Sequence, residues 1–160
     1  CNGMRRLTRA FLPLISLMLW SIGTLTAAGR QPFFPTAEGQ RAEYAVTLDF
    51  GRAHLTGVCV AKCLDGEIVG TLMNEFGIRA FDFRCNPHGG RVELSNLTAM
   101  LDRWYIRRTL RRDLALLLRC GAPDRPLKHR GRLLELRPDG TLSLTHLRRM
   151  LKLGFTRLNP

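Results

Sequence analysis

Five arginines crowd one stretch of ten residues and form the strongest chemical feature of the sequence. They are Arg103, Arg107, Arg108, Arg111 and Arg112. A guanidinium group binds phosphate through two parallel hydrogen bonds, so such a cluster suits an anionic surface, most simply lipid phosphates. The candidate contacts to that surface are Arg107, Arg108, Arg111 and Arg112.

Two other interpretations of the arginine cluster stay open. It is also compatible with a solvated helix face on which Asp102 and Asp113 pair locally with arginines. Basic patches with nearby aromatic residues, here Trp104 and Tyr105, also bind nucleic acid. The export signal described below argues against nucleic acid, so an anionic membrane surface is the expected partner.

A second set of residues is apolar and is expected to line a cavity between a sheet and a helix. It comprises Leu48, Leu55, Leu72, Phe81 and Trp104. Gly57 and Gly70 share strand faces with larger apolar residues, which would leave room for a guest molecule. The same glycines would equally permit sheet curvature, and Trp104 would equally suit a core position.

No catalytic motif accompanies these residues. The sequence has no G-x-S-x-G elbow, phosphate-binding glycine loop or HExxH pattern. Its histidines fall on different predicted elements and are His54, His88, His129 and His146. Glu75 and Asp82 could form a carboxylate pair, but Arg79 or Arg84 is an equally suitable salt-bridge partner for Glu75. We therefore expect no enzymatic activity and no cofactor.

Four cysteines follow the first 30 residues, and we expect them to be buried free thiols. They are Cys59, Cys63, Cys85 and Cys120. Cys59 and Cys63 share one predicted strand with their Cα atoms about 13 Å apart, too far for a direct bridge. Other disulfide pairings remain the alternative in an exported chain. Cys85 and His88 match no compact zinc pattern, so no metal site is expected.

The N-terminal residues have the pattern of an export signal. Arg5, Arg6 and Arg9 precede the uncharged, mostly apolar stretch 10–22, and 26–28 supplies the small residues of a cleavage site. We assign 1–29 to a signal peptide or a retained anchor, with Cys1 upstream of the initiator Met4. Residues 30–42 are then a linker and 43–160 the domain. Most of the net charge of +12 lies in 103–160, which has 15 basic and four acidic residues.

Alternation of apolar and polar residues predicts about eight strands around one helix. They cover 43–51, 54–63, 67–74, 78–85, 91–94, 132–137, 141–145 and 150–158. In the fourth strand the apolar positions shift from Ile78 and Ala80 to Phe81 and Phe83, which predicts a β-bulge.

The helix is predicted to begin at Ser95 or Asn96 and to contain a break. One apolar stripe consists of Leu97, Met100, Leu101 and Trp104, and another of Ile106, Leu110, Leu114 and Leu117. A straight helix cannot bury both stripes in one direction. We therefore expect a bend near 107–109, with Thr109 as a second cap.

Three stretches resemble a known family of exported proteins: 70–83 (GTLMNEFGIRAFDF), the helix with LDRWYIRRTLRRDLALLL, and the late RPDGTLSLTHLRRMLKLGF. Together with 91–96 they resemble small exported Bacteroidales proteins with a LolA/LolB-like fold, over roughly 44–158. The resemblance implies an α+β domain in which a curved, incomplete antiparallel β-barrel of about eight strands covers a broken basic helix.

The resemblance also implies a function and a location. A lipid- or lipoprotein-handling protein of the cell envelope would receive acyl chains in an apolar cavity between sheet and helix. It would lie in the periplasm or on the periplasmic face of a bacterial membrane, such as the outer membrane. The alternative is a structural or partner-binding envelope protein whose half-barrel is filled by its own side chains.

Overall fold

A nine-stranded antiparallel sheet and one α-helix make up residues 32–159, the part of the chain that this structure, a computed structural model, describes. The strands are β1 (Arg41–Phe50), β2 (Ala53–Leu64), β3 (Glu67–Asn74), β4 (Arg79–Cys85), β5 (Val92–Ser95), β6 (Leu127–His129), β7 (Arg132–Leu136), β8 (Thr141–His146) and β9 (Leu151–Arg157). The helix α1 (Trp104–Cys120) lies between β5 and β6 in sequence. The predicted α+β class is confirmed. The predicted signal segment, residues 1–29, lies outside the described residues.

The sheet is open, and it curves around the helix. Its strand order is β5-β4-β3-β2-β1-β9-β8-β7-β6, so β5 and β6 are edges that do not pair with each other. α1 packs against β5, and its Asp113 forms an ion pair with Arg132 of β7. In a flat sheet β5 and β7 would lie about 34 Å apart, whereas a helix with its side chains is about 10–12 Å wide. One helix reaches both strands because the sheet bends into a half-barrel.

The eight predicted strands are present, and the structure adds a ninth, β6. Sequence patterning missed β6 because it has only three residues and all of them are exposed. The turn that follows is a better signal: Arg130 and Gly131 form a two-residue connection with φ of 47° and 78°, as a type I′ hairpin requires. The predicted bulge in β4 is confirmed, since the β3–β4 register shifts between Leu72 and Met73.

The predicted break within the helix is wrong. α1 runs without interruption from Trp104 to Cys120, and Thr109 lies inside it, donating its hydroxyl to the Tyr105 carbonyl at 2.8 Å. The two apolar stripes are separated earlier, because the chain is extended at Arg103. Three residues of the first stripe, Leu97, Met100 and Leu101, lie in the segment that precedes the helix. Ser95 ends β5 and Asn96 has a φ of 50°, so neither caps the helix.

Residues 32–42, expected to be a linker, pack against the sheet. Phe34 is only 3% exposed and contacts the ring of Phe155 on β9. The Tyr44 hydroxyl donates a hydrogen bond of 2.6 Å to the Phe33 carbonyl. The aromatic pair before β1 thus extends the core. The buried ring of Phe34 and the partly buried ring of Phe33, which stacks on Tyr44, hold this proline-containing stretch in place.

Candidate functional site

The interior of the half-barrel is filled by the chain's own side chains. Leu48, Leu72 and Phe81 were expected to line a cavity, and each is at most 3% exposed within one packed core. Leu55 is half-buried and packs against the same core. These four residues lie in or against one core, and they pack with their neighbours.

The two strand glycines make room for neighbouring groups of the chain. A Cβ atom at Gly70 would lie 2.3 Å from Cζ of Phe83, and one at Gly57 would lie 2.0 Å from the Met73 carbonyl oxygen. Both distances are far shorter than van der Waals contact. The space beside each glycine is therefore occupied, and it is not available to a guest molecule.

Trp104 does not lie with the other four predicted cavity residues. Its side chain is 75% exposed, and its ring packs edge-on against Tyr105 with centroids 6.0 Å apart. Trp104 is the first residue of α1 and sits where the chain enters the helix. The break before the helix turns it away from the stripe that faces the core.

One end of the sheet, which we call the rim, gathers the connections β1–β2, β3–β4, β6–β7 and β8–β9 and the segment 96–103. The strand registers establish this, because Phe50 pairs with Ala53 and Leu151, and Arg132 pairs with His146. The Gly51 amide also donates to the Met150 carbonyl at 2.7 Å. Segments far apart in sequence thus meet at one surface.

The rim collects most of the exposed apolar side chains. Of the ten large hydrophobic residues that are exposed within 32–159, five lie in these connections and in 96–103, and two more are the first residues of α1, directly after that segment. They are Phe76, Ile78, Met100, Trp104, Tyr105, Leu147 and Met150. Single exposed hydrophobic residues are normal, but a cluster at one end marks an interaction surface.

A cleft of about 690 Å³ opens beside Trp104, and we call it the cationic cleft. Three elements contribute two arginines each: α1, the β6–β7 hairpin and the β8–β9 connection. These are Arg108, Arg112, Arg130, Arg132, Arg148 and Arg149. None of the described residues that line the cleft is acidic. Such an arrangement creates a strongly positive potential in a concave site.

Buried contacts fix the far wall of the cleft. Arg132 is 8% exposed, and its Nε donates to the carboxylate of Asp113, which is 1% exposed. The Leu147 amide donates to the Gly131 carbonyl at 2.8 Å and so joins the β8–β9 connection to the β6–β7 turn. The arginines on these turns are therefore held on a connected framework.

The electrostatics of the cleft reflect this concentration of positive charge. Burial lowers the pKa of His146, and the nearby charge of Arg132 lowers it further, while Asp113 acts in the opposite direction. The His146 Nδ1 atom is buried without a hydrogen-bond partner. Burial raises the pKa of Asp113, and the hydrogen bond from Arg132 opposes that rise.

An apolar groove of about 370 Å³ adjoins the cationic cleft. Its walls come from the β1–β2 turn, the segment before α1, the first turns of α1 and the start of β9. The apolar side chains among them are Phe50, Ala53, Met100, Leu101, Ile106, Met150 and Leu151. Tyr105, Thr109 and Arg149 line both the groove and the cleft. The two sites are therefore contiguous and form one amphipathic surface.

The predicted basic contacts separate into three environments. Arg108 and Arg112 line the cationic cleft. Arg111, together with Arg112, lines a second cleft of about 530 Å³ beside β5. Arg107 forms an ion pair with Asp102 at 2.7 Å. For this one arginine, the pairing agrees with the alternative of a solvated face with local ion pairs.

Sequence reasoning missed the arginines of the β-hairpins. Arg130, Arg132, Arg148 and Arg149 belong to the basic excess of 103–160, but they come from distant turns that only the fold joins. Met100 and Met150 were also missed as groove residues. Met100 precedes α1 and Met150 precedes β9, so no periodic pattern in the sequence relates them.

The remaining polar candidates have structural roles. Asp82 accepts hydrogen bonds from Thr71, Arg79 and Asn96 at 2.8, 3.2 and 2.7 Å and so joins β3, β4 and the end of β5. The described cysteines are free thiols, and burial raises the pKa of Cys59 to about 12. Within 32–159, no group of three or more His, Cys, Asp or Glu side chains could hold a metal ion.

Two further findings bear on the site. No helix within 32–159 has both the length and the apolar character needed to span a membrane. No family model, curated protein or solved structure matches this chain.

Proposed function

We propose that the protein binds an anionic lipid, or the lipid portion of a lipoprotein, at the rim of the half-barrel. The acyl portion would occupy the apolar groove, and the headgroup would lie in the cationic cleft. The observation that carries this proposal is the contiguity of the two sites through Tyr105, Thr109 and Arg149. An amphipathic ligand needs apolar and anion-binding surfaces side by side.

The rim also supports docking on a membrane that contains acidic phospholipid. Exposed Phe76, Trp104 and Met150 would enter the interface while arginines bind lipid phosphates. Each Lys or Arg near an acidic membrane contributes about 1 kcal/mol. A location in the cell envelope rests on the basic and apolar pattern of residues 1–29.

A second candidate function is a partner-binding envelope protein with no lipid ligand. The observation that favours it is the filled interior, in which Leu48 and Leu72 are at most 2% exposed. In that case the rim would bind an acidic protein surface. The choice between these functions depends on whether lipid occupies the apolar groove.

Co-sedimentation with vesicles tests the proposal. The protein should bind vesicles of phosphatidylglycerol and not those of phosphatidylcholine, and salt should weaken binding because the charges are screened. The double variant Arg108→Ala/Arg149→Ala should bind much less. Its control, Arg41→Ala/Arg84→Ala, lowers the net charge equally, from +12 to +10, at sites away from the cleft.

The fluorescence of Trp104 tests the apolar component. The sequence contains two tryptophans, so Trp104 is the only one in a Trp20→Phe background. Its emission should shift to the blue on vesicle binding, and Met150→Glu should reduce both the shift and the binding. Binding that proceeds with unchanged emission and survives Met150→Glu would refute the amphipathic site.

A further inference from the structure

The cationic cleft has more positive charge than a lipid with a single negative charge can neutralise. Six arginines line it, and among the described residues only Arg132 of these six has a carboxylate partner, Asp113. Five guanidinium groups therefore remain for a ligand. Like charges held close together destabilise the empty site, so a ligand with several negative charges relieves more repulsion than one with a single charge.

The arginines also approach the cleft from three directions. Arg108 and Arg112 lie on successive turns of α1. Arg130 lies in the β6–β7 turn and Arg132 begins β7, while Arg148 and Arg149 follow β8. A phosphodiester has two substituted oxygens, which reduces its contacts with surrounding donors. A terminal phosphate exposes three oxygens and can accept bidentate hydrogen bonds from more than one guanidinium group.

We infer that the cationic cleft selects a phosphomonoester or a diphosphate over a phosphodiester. The chemistry fits two sources, a phosphorylated lipid headgroup and a soluble phosphate compound. The lipid form of this inference rests on the proposed function. The exposed ring of Trp104 forms one wall of the cleft and offers a flat apolar face to the group that carries the phosphates.

Vesicle composition tests the lipid source. The full chain is compared on phosphatidic acid and phosphatidylglycerol vesicles adjusted to equal surface charge, with inorganic pyrophosphate as a competitor. We expect at least about tenfold tighter binding to phosphatidic acid, since each additional hydrogen bond to a charged group contributes on that scale. Equal binding would overturn the selectivity and leave the proposed lipid function intact.

Calorimetry with pyrophosphate and inorganic phosphate tests the soluble source. Pyrophosphate should bind more tightly, and Arg112→Ala, Arg130→Ala and Arg148→Ala, one from each element and all exposed, should each weaken it about tenfold or more. Arg84→Ala is the control. Pyrophosphate binding without vesicle binding would retain the selectivity and refute the lipid function. A short single-stranded oligonucleotide that displaces pyrophosphate at lower concentration than phosphatidic acid would overturn the inference.

Discussion

The carboxylate of Asp113 on α1 accepts a hydrogen bond from the buried guanidinium of Arg132 on β7. Asp113 lies within the face of α1 that otherwise buries leucines, and β7 lies next to the sheet edge farthest from β5. This ion pair therefore joins the helix to the far side of the half-barrel. It also holds one arginine of the cationic cleft in a fixed position.

Loss of this ion pair should destabilise the fold strongly. Asp113→Ala leaves the Arg132 charge buried without a partner, which costs about 3–5 kcal/mol. The matched control is Asp102→Ala, which breaks the half-exposed pair with Arg107 and should cost at most about 1 kcal/mol. Urea unfolding measures both. Equal effects would show that Arg132 finds water or another acceptor when Asp113 is absent.

The packing of α1 on the sheet can be tested at two neighbouring helix positions. Leu114 is 2% exposed, so Leu114→Ala should lower the free energy of unfolding by about 2–5 kcal/mol. Arg111 is exposed, and Arg111→Ala should change stability by about 0.5 kcal/mol or less. Thermal and urea unfolding should agree on this order. Similar small effects at both positions would contradict the observed packing.

A substitution at Gly70 tests whether this glycine serves packing or ligand binding. Gly70→Ala places a methyl group where the Phe83 ring lies, so overpacking should cost about 1–3 kcal/mol. The control is Gly89→Ala, where the nearest atom would be 3.7 Å away, and little change is expected. The folded Gly70→Ala variant should bind vesicles with the same affinity as the unsubstituted protein. A loss of binding with stability unchanged would instead place the ligand inside the half-barrel.

The pKa of His146 should respond to ligand. In the free protein it lies below the ordinary value of 6.5, because burial and the charges of Arg132 and Arg149 disfavour protonation, while Asp113 favours it. The unfolded chain therefore binds the proton first, so His146 makes the fold less stable as pH falls below about 6.5.

An anionic ligand in the cleft offsets the arginine charges and should raise the pKa of His146. NMR titration of the imidazole resonances with and without pyrophosphate measures the change. The His88 resonance is the control, because this residue does not line the cleft. A pKa of His146 that ligand leaves unchanged or lowers would show that the anion binds elsewhere.

The alternating strands, the turns and the bulge could be predicted from the amino-acid pattern. Alternating residues such as Tyr44, Val46 and Leu48 specify one buried face, and the Asp65–Gly66 pair specifies a tight turn. The sequence also located the basic excess after residue 102. These features depend on neighbours along the chain, so local patterns were sufficient to predict them.

The start of the helix and the set of residues that form the site depend on long-range packing. The sequence offers two apolar stripes for the one helix face that is buried. Which stripe is buried depends on contacts with the sheet, and helical periodicity contains no information about those contacts. Curvature then brings Arg108, Arg130 and Arg149 to one cleft, although a helix and two turns far apart in sequence supply them. Trp104 is exposed because it lies at the junction where the chain enters the helix. Side-chain orientation at such a junction depends on long-range contacts, so periodicity alone could not predict it.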